Sequence, residues 1–247
     1  MTAVTYEPGR LTLALEAFLT LAAVAAGAGP DGLAAITDLS APHEHLTQLR
    51  AAGAVIGDHV DADLREVATA VTDAVCELQL DVDDRRVMGW VAPDTCVLLL
   101  PADDGRVDVV AAPTTSFPRV IADLTGLGPR VAPPRQLAVE LGPADLEALL
   151  VTTPDAVTAL THDAGVEEAT ATALAELVTE FRSRWRVAVS WGPAATDRRS
   201  LEVLDAPSGL WWVDRRTDGV RLATTTPTDV YAAITAVLPD AEELPGG

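Results

Sequence analysis

Lysine and asparagine are absent from this chain, so all 17 of its basic residues are arginine. The codons of the two missing residues are AT-rich, and their joint loss points to a high-GC genome rather than to a structural rule. Arginine also suits ordered ion pairs better than lysine does. Against those 17 arginines stand 37 acids, giving a formal net charge of −20. A surface this acidic repels nucleic-acid backbones, which need clustered cations, and anionic membranes. It favours solubility.

Cysteine is nearly missing too. Cys76 and Cys96 are the only two, which is no disulfide framework. Both lie in apolar runs and read as half-buried strand thiols of a reducing compartment. As cross-strand neighbours they would leave a bridge geometrically open. Motifs of catalysis are also lacking: there is no Gly-rich phosphate loop, no Gly-x-Ser-x-Gly elbow and no Cys-x-x-Cys pair. His43-Glu44-His45 lacks the i, i+4 spacing of a helical metal pair. His59 and His162 stand alone beside acids. Asp81, Asp83 and Asp84 lack the glycine and terminal glutamate of a calcium loop and read, with Arg85 and Arg86, as a solvated hairpin. The expectation is no metal, no cofactor and no catalytic set.

What is present is apolar. Hydrophobic residues make up 49% of the chain, enough for a large core. The longest apolar stretch, Leu11 to Gly29, has the look of a signal peptide or membrane span. Glu16 interrupts it, and Leu11, Leu15, Phe18, Leu19 and Ala22 share one helical face. It is read as a core-facing first helix, with no membrane insertion.

Two stretches repeat each other. Pro93 and Pro207, Gly105 and Gly219, and Pro113 and Pro227 are each separated by 114 positions, as are Ala122 and Ala236, and Leu124 and Leu238. Two copies at so long a period predict a duplicated body, not a solenoid. A pass along the chain fills it in. Val4 to Tyr6 reads as a strand, and helices follow over about 10–26, 42–52 and 61–75. The period then changes from 3.6 to 2. Cys76 to Val82, Val87 to Val91, Cys96 to Leu100 and Val107 to Ala111 form a meander with an Asp104-Gly105 turn, closed by a helix over 116–127. Gly128 to Pro134 reads as a linker. Strand 136–141 and helices opening at Pro143, over 154–162 and over 166–185 lead to strands 186–191, 200–204, 210–214 and 220–224 and a helix over 228–238. The fold class is therefore α+β: a pseudo-two-fold single domain of halves 1–128 and 135–240 joined by 129–134. Its central, mostly antiparallel sheet is flanked by two helical bundles.

Aromatic residues are only 4% of the chain, yet Trp90, Trp191, Trp211 and Trp212 lie on or beside strands. Trp211 and Trp212 are adjacent, so on a strand they face opposite sides. Either both are covered by helices, or one offers a partner an anchor. Trp191, Trp211, Trp212, Val213 and Phe181 are the candidate partner-binding residues.

Arg184-Trp185-Arg186-Val187-Ala188-Val189, then Arg199 to Gly209 with its Leu-Asp-x-Pro-x-Gly strand end, then Trp212-Val213, then Leu222 to Pro227 form an ordered series in the C-terminal part. In these residues the chain resembles the EspG family of type VII (ESX) secretion chaperones. Gly9 to Leu21, Leu49 to Val55 and Asp61 to Leu80 are similar to the family more loosely. The resemblance implies a quasi-two-fold fold with two helical bundles and a non-enzymatic role in the cytosol. There the protein would hold PE/PPE-type secretion substrates soluble by the apolar tip of their helical bundle. Two other readings stay open: a small-molecule enzyme with a pocket between the halves, and an acidic scaffold that binds a basic partner. The first helix yields a checkable expectation: N-terminal sequencing of the mature protein should begin at Met1 or Thr2, and a start near Gly29 would make Leu11 to Gly29 a cleaved signal.

Overall fold

The computed structural model describes residues 4–7, 10–28, 42–102, 104–130, 132, 136–142, 145–151, 153, 157, 166–192 and 195–244. Eleven strands form one sheet in which every described pairing is antiparallel. In chain order they are β1 (Thr5–Glu7), β2 (Arg10–Leu13), β5 (Cys76–Val82), β6 (Arg85–Val91), β7 (Thr95–Pro101), β8 (Val107–Pro113), β9 (Ala138–Leu141), β10 (Ser183–Trp191), β11 (Asp197–Ala206), β12 (Gly209–Arg215) and β13 (Val220–Thr225). A separate ribbon pairs β3 (Val55–Ile56) with β4 (His59–Val60). Across the sheet the order is β1-β2-β8-β7-β6-β5-β10-β11-β12-β13-β9. Four meandering strands thus lie on each side of the β5–β10 seam. Each meander is extended by a strand that precedes a set of helices in the chain, β2 on one side and β9 on the other.

Alternation builds three cores on this sheet. Leu78 and Leu80 of β5, Trp185, Val187 and Val189 of β10, and Leu98 of β7 point to one face. There they meet Phe117 and Ile121 of α4 (Phe117–Thr125) and Val230 and Ile234 of α7 (Pro227–Ala236). On the opposite face Val97 and Leu99 pack under α1 (Leu15–Ala25), α2 (Pro42–Ala51) and α3 (Ala62–Thr72). Trp211, Val213 and Leu222 pack under α5 (Asp145–Leu150) and α6 (Glu168–Glu180).

Local chemistry places the helix ends. Asp61 caps α3 by accepting from the Asp63 amide at 3.1 Å, and Thr226 caps α7 by accepting from the Asp229 amide at 3.2 Å just before Pro227. Gly126 ends α4 in the left-handed conformation at φ 65°. On β6, a Cβ added to Gly89 would lie 2.6 Å from both Leu98 Cδ2 and the Val97 carbonyl oxygen. Only glycine lets β7 pack so closely there.

The structure corrects three sequence expectations. Arg10–Leu13 is strand, not helix: Leu11 and Leu13 are buried while Thr12 donates from its hydroxyl to Asp108 across the β2–β8 pair, a period of two. The long helix ends at Glu180 rather than at Trp185, because the period-2 alternation of Val187 and Val189 extends back to Trp185, which is 1% exposed in the shared core. Alongside these corrections, Arg130 of the expected linker makes a two-pronged pair to Asp205, with Nη2 to Oδ2 at 2.6 Å and Nε to Oδ1 at 2.8 Å. Finally, Cys76 and Cys96 are not neighbours. Both register with Val91, from β5 and β7 on either side of it. Two strand spacings, roughly 9.5 Å, exceed the reach of a disulfide. The 154–162 helix expectation falls largely outside the described residues, as do Pro8 and Pro143 themselves, while the helix expected after Pro143 is present as Asp145–Leu150.

Both thiols are buried and free, and burial pushes the Cys76 thiol up to about 12. Only the thiolate attacks a reagent, so in native buffer near pH 8 Cys76 should react with a disulfide reagent about a thousandfold or more slowly than in the unfolded chain. Prompt labelling of Cys76 in the native protein would contradict the buried position of β5.

Candidate partner-binding surface

The seam strands are apolar on the shared-core face and polar on the other. Glu77, Gln79 and Asp81 of β5 and Arg184, Arg186, Ala188 and Ser190 of β10 alternate with the core residues and point away from α4 and α7. The two outer helical layers cover β6–β8 on one side and β11–β13 on the other. The polar face of the seam is left as an open strip between them.

Two clefts lie along this strip. One, of about 350 Å³, has Gln79, Met88, Trp90, Ala188, Ser190 and Arg198 in its lining. Its floor is the most apolar part of the strip: Met88 is 40% exposed, and Trp90 is half-buried against Phe18 of α1 at a ring separation of 5.9 Å. The other, of about 450 Å³, lies at the β5–β6 turn. The turn is docked onto β10: the Asp83 amide donates to the Arg184 carbonyl at 2.8 Å, and the Arg184 amide donates to Asp83 Oδ1 at 2.9 Å.

Glu202 of β11 organises this second cleft. It is 4% exposed and accepts from Arg184 Nε and Arg215 Nε, each at 2.8 Å. Arg184 also reaches Glu147 of α5, with both carboxylate oxygens at 2.9 Å. The floor of the strip is thereby tied to one wall. Burial alone would raise the Glu202 carboxyl, but the Arg215 hydrogen bond and the charges of Arg184 and Arg215 outweigh it and hold the group below its ordinary range. A carboxylate held ionised by two arginines is an anchor, not a general acid. Among the described residues no group of three or more His, Cys, Asp or Glu side chains is placed to hold a metal ion.

The five residues singled out by sequence fall in separate places. Trp211 and Val213 are buried beneath α5 and α6. Trp191 is buried at the edge of the shared core, with the Arg199 guanidinium 5.3 Å from its ring centre. Phe181 is half-buried against the C-terminal core. Trp212 points to the opposite face from Trp211 and is half-buried beside a cleft that includes Asp214, Arg221 and Asp229. They do not form one site. Met88 went unnoticed and Trp90, though noted as a strand tryptophan, was not among the candidates; their signal was an apolar residue at Met88, between Arg86 and Trp90 on the outward-facing positions of a strand.

An antiparallel α+β body with an open, charged strip along its seam is a binding scaffold. Its sequence pattern is that of a known group: a model of the EspG family matches residues 39–230, and the chain belongs to that family. Its fold is similar to that of the Mycobacterium tuberculosis type VII secretion system chaperone EspG5, solved in complex with a PE25–PPE41 dimer. The TM-score is 0.59 at 17% identity, covering 96% of this chain and 98% of that one. No curated protein matches this sequence.

The pairing of Glu202 predicts a pH signature. Glu202→Gln should cost about 2 kcal/mol at neutral pH, the scale of charged hydrogen bonds lost in a buried setting. A carboxyl held low contributes stability that is present above its unfolded value near 4.5 and is lost as pH falls through the lower folded value. Urea unfolding of both proteins should therefore show a gap at pH 7 that closes as the pH falls below the unfolded value. A gap of equal size at both ends would mean that the charge is not what Glu202 contributes.

Proposed function

We propose that this protein is a cytosolic chaperone of type VII secretion that keeps a PE/PPE-type substrate soluble by gripping the apolar tip of its helical bundle. The observation that carries the reading is the EspG family match over residues 39–230. The likeness in fold to a chaperone solved with a PE25–PPE41 dimer supports it. No described helix is long and apolar enough to cross a membrane.

The body is a duplicated one. The constant offset of 114 and the matching strand order on the two sides of the seam both support this, as do the helical layers disposed on the same face. The halves meet at the seam, and the client lies on its open strip, with Met88 and Trp90 as the apolar contact. Helix-in-groove docking of this kind relies on a few apolar anchors. Trp212 is the second place for the grip, because its half-exposed indole lies on the other face.

Isolation of the native complex and identification of the bound chains tests the function. The expected result is a PE/PPE-type pair in stable association, and a protein that carries no such pair in its native cell is not this chaperone. Met88→Asp and Trp212→Ala then locate the grip. Loss of a buried anchor weakens binding at least about tenfold, or roughly 1.4 kcal/mol, while the melting temperature stays unchanged. Such a loss in Met88→Asp places the client on the strip, and a loss confined to Trp212→Ala moves it to the opposite face.

A further inference from the structure

Acids outnumber arginines by about two to one in the chain, 37 to 17, yet the cleft at the β5–β6 turn is lined by five arginines and four acids. Within it Arg186 has no ion-pair partner among the described residues. In register it lies between Asp81 on β5 and Glu202 on β11. Both of those carboxylates are already engaged, Asp81 by Arg86 and Gln79 and Glu202 by Arg184 and Arg215. Arg186 is nevertheless only half-exposed. A guanidinium on the floor of a cleft, between two carboxylates that other side chains already engage, is a ready receptor for one more carboxylate.

The apolar floor begins two residues along the same strand. Ala188 shares the face of Arg186 and lines the cleft that holds Met88 and Trp90. Two residues of strand span roughly 6.8 Å. On a helix, residues i and i+4 are separated by about 6 Å along the axis. The strip therefore matches a helix that seats an apolar side chain over Met88 and Ala188 and a carboxylate over Arg186 one turn away.

We infer that the strip reads a two-point motif on its client, an apolar residue with an aspartate or glutamate at i+4, and that Arg186 is the residue that selects the acid. This rests on the chaperone reading above and deepens it. The overall charge of −20 weighs against an acidic client in general, so a carboxylate received at Arg186 fixes the register of the docked helix.

The protein has two methionines, Met1 and Met88, so methyl labelling of methionine gives a two-signal reporter. The probe is a blocked, alanine-based helical peptide with Leu at i and Glu at i+4, compared with its Gln counterpart. The Met88 methyl should shift saturably while Met1 does not move, and the Glu peptide should bind at least fivefold more tightly than the Gln peptide. In Arg186→Gln the two peptides should bind alike. Equal affinity for both peptides in the natural protein, no Met88 shift, or a Glu preference that survives in Arg186→Gln would each overturn the inference. Should Arg186→Gln not fold, Arg186→Ala carries the same comparison, and the two peptides on the natural protein decide by themselves. Identification of the native client does not depend on these results, so failure here leaves the chaperone reading to its own test.

Discussion

The seven residue pairs between β5 and β10 are the constraint from which the rest of the molecule follows. They join two meanders edge to edge and remove the two strand edges that would otherwise stay unpaired in the middle of the chain. They also fix which side chains point where. Because alternation has a period of two, placing Leu78, Leu80, Val187 and Val189 in the shared core commits Gln79, Asp81, Arg186 and Ala188 to the other face. The outer helical layers lie over the meanders and not over the seam. The polar strip is a consequence of the register and not a separate device.

The ionic chemistry is shaped by the absence of lysine. Every cation is a planar fork able to grip a carboxylate at two points, and the buried acids use this. Asp205 holds Arg130, which lies in the chain between α4 and β9. Glu202 gathers Arg184 and Arg215 and, through them, Glu147 of α5. Asp205 and Glu202 are nearly inaccessible, so an unpaired charge there would be costly. The pairs fix geometry: one ties the connecting segment to β11, the other ties the C-terminal helices to the floor of the strip.

Much of the fold was legible in the residues. The two meanders announced themselves by alternation, and the Asp-Gly and Pro-Thr punctuation marked hairpins and closing helices. What stayed hidden was short or fused. β2 is four residues long and runs into an apolar helix, so a periodicity window merges the two. β10 begins where a helix has just ended, and Trp185 is compatible with either. The candidate surface was less legible still. Tryptophan drew attention because it is rare and large, but size is also why Trp185, Trp191 and Trp211 are needed in the cores. Exposure of Met88 follows from where the helical layers stop, which no local pattern records. The unpaired state of Arg186 depends on six other side chains brought together from five strands.

The two closing helices end in different ways. α4 stops at Gly126, whose left-handed backbone turns the chain. α7 has no such glycine and no basic residue in its last turn. Its terminal carbonyls are met from outside: Arg199 of β11 donates to the Ala236 and Leu238 oxygens at 3.2 and 2.8 Å, holds Glu243 at 2.5 Å and lies against the Trp191 ring. One arginine thus acts as cap, tail clasp and lid over an indole. The final segment of the chain is fastened to a hairpin tip, and a change in the length of that hairpin is felt forty residues away, at the protein's last turn of helix.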